Sequence, residues 1–181
     1  MNNTSFSYTL KETPYTTLTK IHDFIFRDEV ALKYFEKKIR DNVGLNDYKT
    51  NVKGQMTSWI LFNKDPEFEL FIKEVFYPII FKHKGILIGE KEDEILIKDS
   101  WGNILKKGET VERHHHRDSY YSTVIYFDNV APLQTDIGAI ETCRGKVITL
   151  DGFLHHWVNP VPKERINLVF NWSSKDGSNN R

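Results

Sequence analysis

The sequence predicts an α+β protein, a double-sheet jelly roll or small barrel buttressed by helices from its N-terminal half. Two observations carry this. Apolar residues at helical spacing are confined to the first half, and after Gly85 the pattern shortens to that of strands separated by turn residues. The length, 181 residues, fits a single domain able to bury a core without disulfides. The expected division is one domain over 1–172, with 1–84 as mainly helical support and 85–172 as the jelly roll. The polar stretch 173–181 reads as a flexible tail.

The first expected helix spans Asp28 to Val43, with Val30, Ala31, Tyr34, Phe35 and Ile39 forming its apolar stripe. Asp28 is placed to cap its start and Gly44 to end it. A second is expected from Pro66 to about Phe81, with Phe68, Leu70, Phe71, Val75 and Ile79 as core positions. Between them, Trp59 and Phe62 are candidate buried anchors. Expected strands are 85–88, 94–101, 110–116, 122–127, 138–141, 147–150, 155–158 and 165–172. Gly102-Asn103, Gly108, Asp128-Asn129, Gly145 and Asp151-Gly152 punctuate them. Such a run of short strands suits a double-sheet architecture.

Basic and acidic residues balance at 25 each, so nothing global favours nucleic acid or a membrane surface as partner. Residues 1–10 lack a basic start followed by an apolar core, so no signal peptide is expected. The longest apolar run, 75–81, is too short to span a bilayer. Cys143, the one cysteine, has no intrachain partner, which suits a reducing compartment. A cytoplasmic location is the expectation.

Three of the seven histidines lie in Glu112-Arg-His-His-His-Arg-Asp118. On a strand, His114 and His116 share one face and His115 the other, so two ring nitrogens converge from one side. Asp118 joins that face if the strand continues past Arg117, ~6.5 Å beyond His116. Leu154-His155-His156-Trp157 adds a second cluster about forty residues on. Two histidines and a carboxylate with open positions form a non-haem iron(II) site. Two registers are open: His116 with Asp118 and the later histidine, or His114 and His116 with that histidine.

His156 and Arg165 are joined by a segment holding Pro160 and Pro162, which reads as a connection between antiparallel strands. If that turn centres on Val161 and Pro162, His156 and Arg165 share a face with a diagonal offset of ~7 Å. A five-carbon diacid has that reach, chelating a metal at one end and meeting the arginine fork at the other.

The run from Gly108 to Tyr126, with Asp151-Gly-Phe-Leu-His-His-Trp-Val-Asn-Pro160 and Arg165-Ile-Asn-Leu-Val-Phe-Asn171, resembles the 2-oxoglutarate/Fe(II) oxygenase superfamily. It is similar especially to a small bacterial and phage group with a His-x-His strand. Thr123-Val-Ile-Tyr-Phe127 is also similar to the prolyl-hydroxylase branch. The resemblance covers residues 101–172 and the first hundred only loosely. It implies a double-stranded β-helix, Fe(II), 2-oxoglutarate as cosubstrate and O2. It implies His156 as the distal metal ligand and Arg165, helped by Tyr126, as the site for the cosubstrate's far carboxylate. The spacing from Gly108 favours His114 as the proximal ligand, which puts His116 where the family has aspartate and leaves Asp118 as rival to His114. The implied activity is hydroxylation of a C–H bond, with release of succinate and CO2. A peptidyl (proline first) or small-molecule substrate is expected, with Tyr120, Tyr121, Phe153 and Trp157 as candidates along its approach. The alternative is a non-oxidative, cupin-like metal-binding jelly roll, an isomerase or sugar-binding module. Against it, no glutamate follows the His-x-His until Glu141.

Overall fold

The computed structural model describes residues 8–9, 21–44, 50–82 and 95–174. Its elements in order are β1 (Tyr8–Thr9), β2 (Ile21–Phe26), α1 (Glu29–Asn42), β3 (Gln55–Met56) and α2 (Pro66–Phe71). A π-helical turn (Ile72–Phe76) leads into α3 (Tyr77–Lys82), followed by β4 (Ile95–Leu105), β5 (Val111–His114), β6 (Tyr121–Tyr126) and β7 (Leu133–Thr135). The last strands are β8 (Gly138–Ile140), β9 (Lys146–Asp151), β10 (His156–Val158) and β11 (Arg165–Ser174). The larger sheet runs β1-β2-β9-β6-β11-β4-β3, the smaller β5-β10-β7-β8, and their neighbouring strands pair antiparallel. This is a double-stranded β-helix with helices packed on the larger sheet.

Asp28 caps α1 by accepting from Val30 N at 2.9 Å and Ala31 N at 3.0 Å. Ala31, Phe35 and Ile39 then turn inward as the stripe requires, joined by Leu32, which the stripe did not include. Val30 and Tyr34, also assigned to that stripe, are exposed instead, because they lie at its edges. Asp65 caps α2 through Phe68 N at 2.8 Å and also accepts from the Tyr34 hydroxyl and Lys38 Nζ, which ties α2 to α1. Phe35 is the hub of the helical layer, meeting Phe62, Phe68 and Phe71 edge-on at 5.9, 6.3 and 6.2 Å. Such pairs contribute about 0.5–1.5 kcal/mol each beyond burial.

Two cores result from strand alternation. On β11, Ile166, Leu168, Phe170 and Trp172 join the core beneath the helices, whereas Val169 joins the core between the sheets. Arg165, Asn167 and Asn171 share Val169's parity and are also buried. On β4 the same alternation puts Trp101 and Leu105 inward and Ile104 toward the helices.

Several expectations change. Gly102-Asn103 is not a turn but the middle of β4. A Cβ at Gly102 would lie 2.3 Å from Ile39 Cγ1, so the glycine lets α1 rest on the strand backbone. Asn103 is accommodated by donating to Asn167 Oδ1 at 2.9 Å. The first half is also less helical than expected, because β2 pairs with β9 and extends the larger sheet. The helix from Pro66 runs to Lys82 through the π turn. Ser173 and Ser174 close β11 instead of beginning a tail. The expected strand 85–88 and the rest of the tail lie outside the described residues.

The largest correction concerns the proline segment. β10 and β11 do not pair; they belong to opposite sheets. Val161 N donates to Glu109 O at 3.0 Å, and Gly108 N donates to Val161 O at 2.8 Å. The segment is thereby pinned beside the β4–β5 turn while it crosses from one sheet to the other.

Candidate metal centre

His114 and His156 are direct cross-strand partners of β5 and β10, with ring centres 4.4 Å apart. His116 follows the end of β5. Its backbone N–H donates to Gly152 O at 2.8 Å, and Ser119 N–H donates to His116 O at 2.9 Å. Gly152 is needed for this contact, because a Cβ there would sit 2.0 Å from Ser119 O. The His116 ring centre stands 5.0 Å from that of His114 and 5.2 Å from that of His156. One ligand atom from each histidine lies within 4.8 Å of the other two.

The electrostatics suit a cation. Burial lowers the pKa of His114, lowers that of His116 well below the usual value, and brings His156 down to about 4; neighbouring histidines add to each shift. All three rings are therefore neutral at pH 7, the form that ligates metal. His114 Nδ1 lies 2.7 Å from Glu112 O, and His156 Nδ1 lies 3.0 Å from Leu154 O. A carbonyl accepts only from a protonated nitrogen, so both rings keep Nε2 free for a ligand. Three neutral imidazoles within this distance fit a divalent iron, zinc or related ion.

Asp118 stands outside the group. The chain turns at 116–119, so the alternation that would carry its carboxylate to the histidine face stops. Asp118 is exposed and lines an outer cleft of ≈ 500 Å³ with Trp59, Lys98, Asp99, Arg117 and Asn171. His116 belongs both to this cleft and to an inner pocket. His115 turns away from the triad and packs against His155 at 4.6 Å.

The inner pocket lies between the sheets and is lined by Trp101, Asn103, Tyr126, Asn167 and Val169, among others. Arg165 and Tyr126 are fully buried, with the guanidinium carbon 5.1 Å from the Tyr126 ring centre. The three guanidinium nitrogens, the Tyr126 hydroxyl and Trp101 Nε1 have no hydrogen-bond partner. Burial pushes the Tyr126 phenol up to about 12, partly offset by the Arg165 charge, so it stays a neutral donor. A buried cation with every nitrogen unpaired is costly unless an anion completes it. The void is ≈ 50 Å³, smaller than a five-carbon diacid. Of its lining residues, Val52, His114 and His116 are half-buried.

Tyr120 and Trp157 do not line either space. Tyr120 packs against the helix-side core, and Trp157, between the inward His156 and Val158, takes the outer face of the smaller sheet. Tyr121 stacks on Trp172 in the helix-side core at 4.5 Å, and Phe153 is exposed on the turn before β10. Sequence reasoning missed Trp101, Asn103, Asn167 and Asn171. A signal existed for two of them: Arg165, Asn167 and Asn171 fall at even spacing in an otherwise apolar strand.

No family model and no curated protein matches the chain. Solved structures do, and the fold is shared with prolyl hydroxylases and with a protein described as of the 2OG-Fe(II) oxygenase family. A prolyl-4-hydroxylase of Pseudomonas putida is 15% identical, with a TM-score of 0.65 over 86% of this chain and 93% of that one. A viral collagen prolyl hydroxylase from Paramecium bursaria Chlorella virus-1, a 2-oxoglutarate complex, is 12% identical, with a TM-score of 0.66 over 85% and 96%. A Trichoplax adhaerens prolyl hydroxylase holding a hypoxia-inducible-factor peptide is 10% identical, with a TM-score of 0.63 over 88% and 86%. At these identities the likeness is one of fold. Among the described residues no helix is long and apolar enough to cross a membrane.

Proposed function

We propose that the chain is an Fe(II)- and 2-oxoglutarate-dependent dioxygenase that hydroxylates a C–H bond. The observation that carries this reading is Arg165: a fully buried guanidinium with no acceptor, packed on Tyr126, which lines the same pocket as the three histidines. A metal site alone, as in a cupin-like module, gives that cation no counterpart. A diacid held between metal and arginine does.

His114, His116 and His156 would hold Fe(II), each through one neutral ring nitrogen. Arg165 and the Tyr126 hydroxyl would bind the far carboxylate of 2-oxoglutarate. With O2, the bound iron and 2-oxoglutarate would supply the oxidation, with 2-oxoglutarate converted to succinate and CO2 and one oxygen atom inserted into the substrate C–H bond. The apolar lining of the pocket, Val111, Val124, Val158 and Val169, excludes water from it. The outer cleft beside His116 is the place for a substrate. A peptidyl substrate, proline first, is supported by the prolyl hydroxylases that share the fold, one of them peptide-bound. A small molecule remains the second candidate, and we propose a cytoplasmic location.

Anaerobic titration with Fe(II) and 2-oxoglutarate, then measurement of succinate after admitting air, tests the proposal. Cosubstrate binding and succinate release are expected. Failure of the wild type to bind 2-oxoglutarate in the presence of Fe(II) overturns the oxygenase reading.

A further inference from the structure

Asn171 and Asp99 face each other across β11 and β4, at the end of the inter-sheet space where His116 stands. The Asn171 carboxamide nitrogen is 3.3 Å from His116 Nδ1. Burial pushes the Asp99 carboxyl up, and contact with the side chain and backbone of Asn171 partly offsets this. Two oxygens of the group, Asp99 Oδ1 and Asn171 Oδ1, are shut off from solvent with no hydrogen-bond partner. Both are acceptors, and their enclosure calls for a donor inside the protein more than one arriving through the cleft.

The donor follows from the tautomers. His114 and His156 each direct Nδ1–H at a carbonyl two residues earlier in the chain, leaving Nε2 to the metal. His116 has the Asn171 carboxamide at its Nδ1 instead. To ligate through Nε2 as the others do, it must carry its proton on Nδ1 and find an acceptor there. A carboxamide provides one by turning over, which exchanges oxygen and NH2 at almost constant shape.

We infer that Asn171, backed by Asp99, is the positioning pair for His116. His116 Nδ1–H donates to Asn171 Oδ1, and the Asn171 NH2 group donates to the Asp99 carboxylate. The stranded Asn171 oxygen gains a partner in His116 Nδ1–H. The pair also sets a negative charge one amide away from a ligand set of three neutral rings, which itself contains no carboxylate. The inference rests on the proposed metal centre.

The test uses Zn(II), which is diamagnetic and redox-silent. Zn(II) affinity is measured by chelator competition for the wild type, His156→Ala, Asn171→Leu, and the exchange variant Asn171→Asp with Asp99→Asn. Apo melting temperatures identify any variant that fails to fold. Loss of the outer partner in Asn171→Leu is expected to weaken binding about 10- to 100-fold, and the exchange variant to return within about threefold of wild type. The exchange works because a carboxylate at 171 accepts from His116 and the new amide at 99 donates to it. A tautomer readout needs no variant: 15N shifts of the Zn(II)-loaded protein should show His116 metallated at Nε2 and protonated at Nδ1. Wild-type affinity in Asn171→Leu, a folded exchange variant as weak as Asn171→Leu, or His116 protonated at Nε2 overturns the pair. If His156→Ala lowers affinity and Asn171→Leu does not, the pair falls and the metal centre stands. If the wild type binds no Zn(II), the metal centre falls and the pair with it.

Discussion

Arg165 lies with its guanidinium carbon 5.1 Å from the Tyr126 ring centre, and neither the guanidinium nitrogens nor the phenol hydroxyl has a hydrogen-bond partner. A buried charge without a partner is costly, and an anion bound beside Arg165 would offset that cost. Replacing Arg165 by Met removes that cost along with the function. Arg165→Met is expected to stabilise the apo protein by about 1–4 kcal/mol in urea denaturation. The same variant should lose the stabilisation that 2-oxoglutarate confers on the Fe(II)-loaded wild type, which is about 2.7 kcal/mol at a hundred times Kd. A destabilised apo variant would show that Arg165 is a structural cation.

The ligand set separates cleanly by mutation. His114→Ala and His156→Ala should each abolish tight Fe(II) binding in an anaerobic chelator competition, because each removes one of three converging nitrogens. Asp118→Asn should leave it unchanged, because its carboxylate stands beyond the turn at 116–119. The reverse pattern would return the carboxylate register to the site.

Asp65 provides a pH-dependent contribution to stability away from the site. Burial opposes its ionisation, but hydrogen bonds from Lys38, Tyr34 and Phe68 N outweigh that and lower its pKa below 3.8. A depressed carboxylate contributes stability that is present above its unfolded pKa and lost as pH falls through the folded one. The window therefore lies below about pH 4. Asp65→Asn should cost about 2 kcal/mol at neutral pH, since it weakens a helix cap and an ion pair whose lysine is partly exposed. Denaturation midpoints of the variant should fall less steeply than those of the wild type through that acid window.

Gly102→Ala tests the seat of α1. The added methyl group meets Ile39, which is fully buried and stiff at Cβ. A loss of about 1–3 kcal/mol is expected, and in a double-mutant cycle Ile39→Ala, which removes all three carbons that the methyl group meets, should cost less beside Gly102→Ala than alone.

Much of the fold was legible because it is written in local period and punctuation. Asp28 and the stripe through Ala31, Phe35 and Ile39 mark α1, and the Pro66 start with its phenylalanines marks α2. β2 and β7 escaped notice, one because its polar residues His22 and Asp23 dilute the apolar alternation, the other because it has only three residues. Gly102-Asn103 misled for the opposite reason. Its turn-like composition serves a helix contact and a buried amide pair, neither of which leaves a local mark.

The sequence by itself determined the chemistry available to the site: convergent histidines in two clusters, an arginine opening a strand, and a tyrosine closing another. It also determined face within each strand, since alternate residues must point to opposite sides. Only the tertiary structure decided which strands meet. It put His156 and Arg165 in opposite sheets, closed the 116–119 turn that separates Asp118 from the histidines, and brought Asn171 and Asp99 to His116. Alternation is a property of a few neighbouring peptide units. Partnership between strands tens of residues apart is set by closure of the two sheets around a shared core, and no short stretch of chain carries that information.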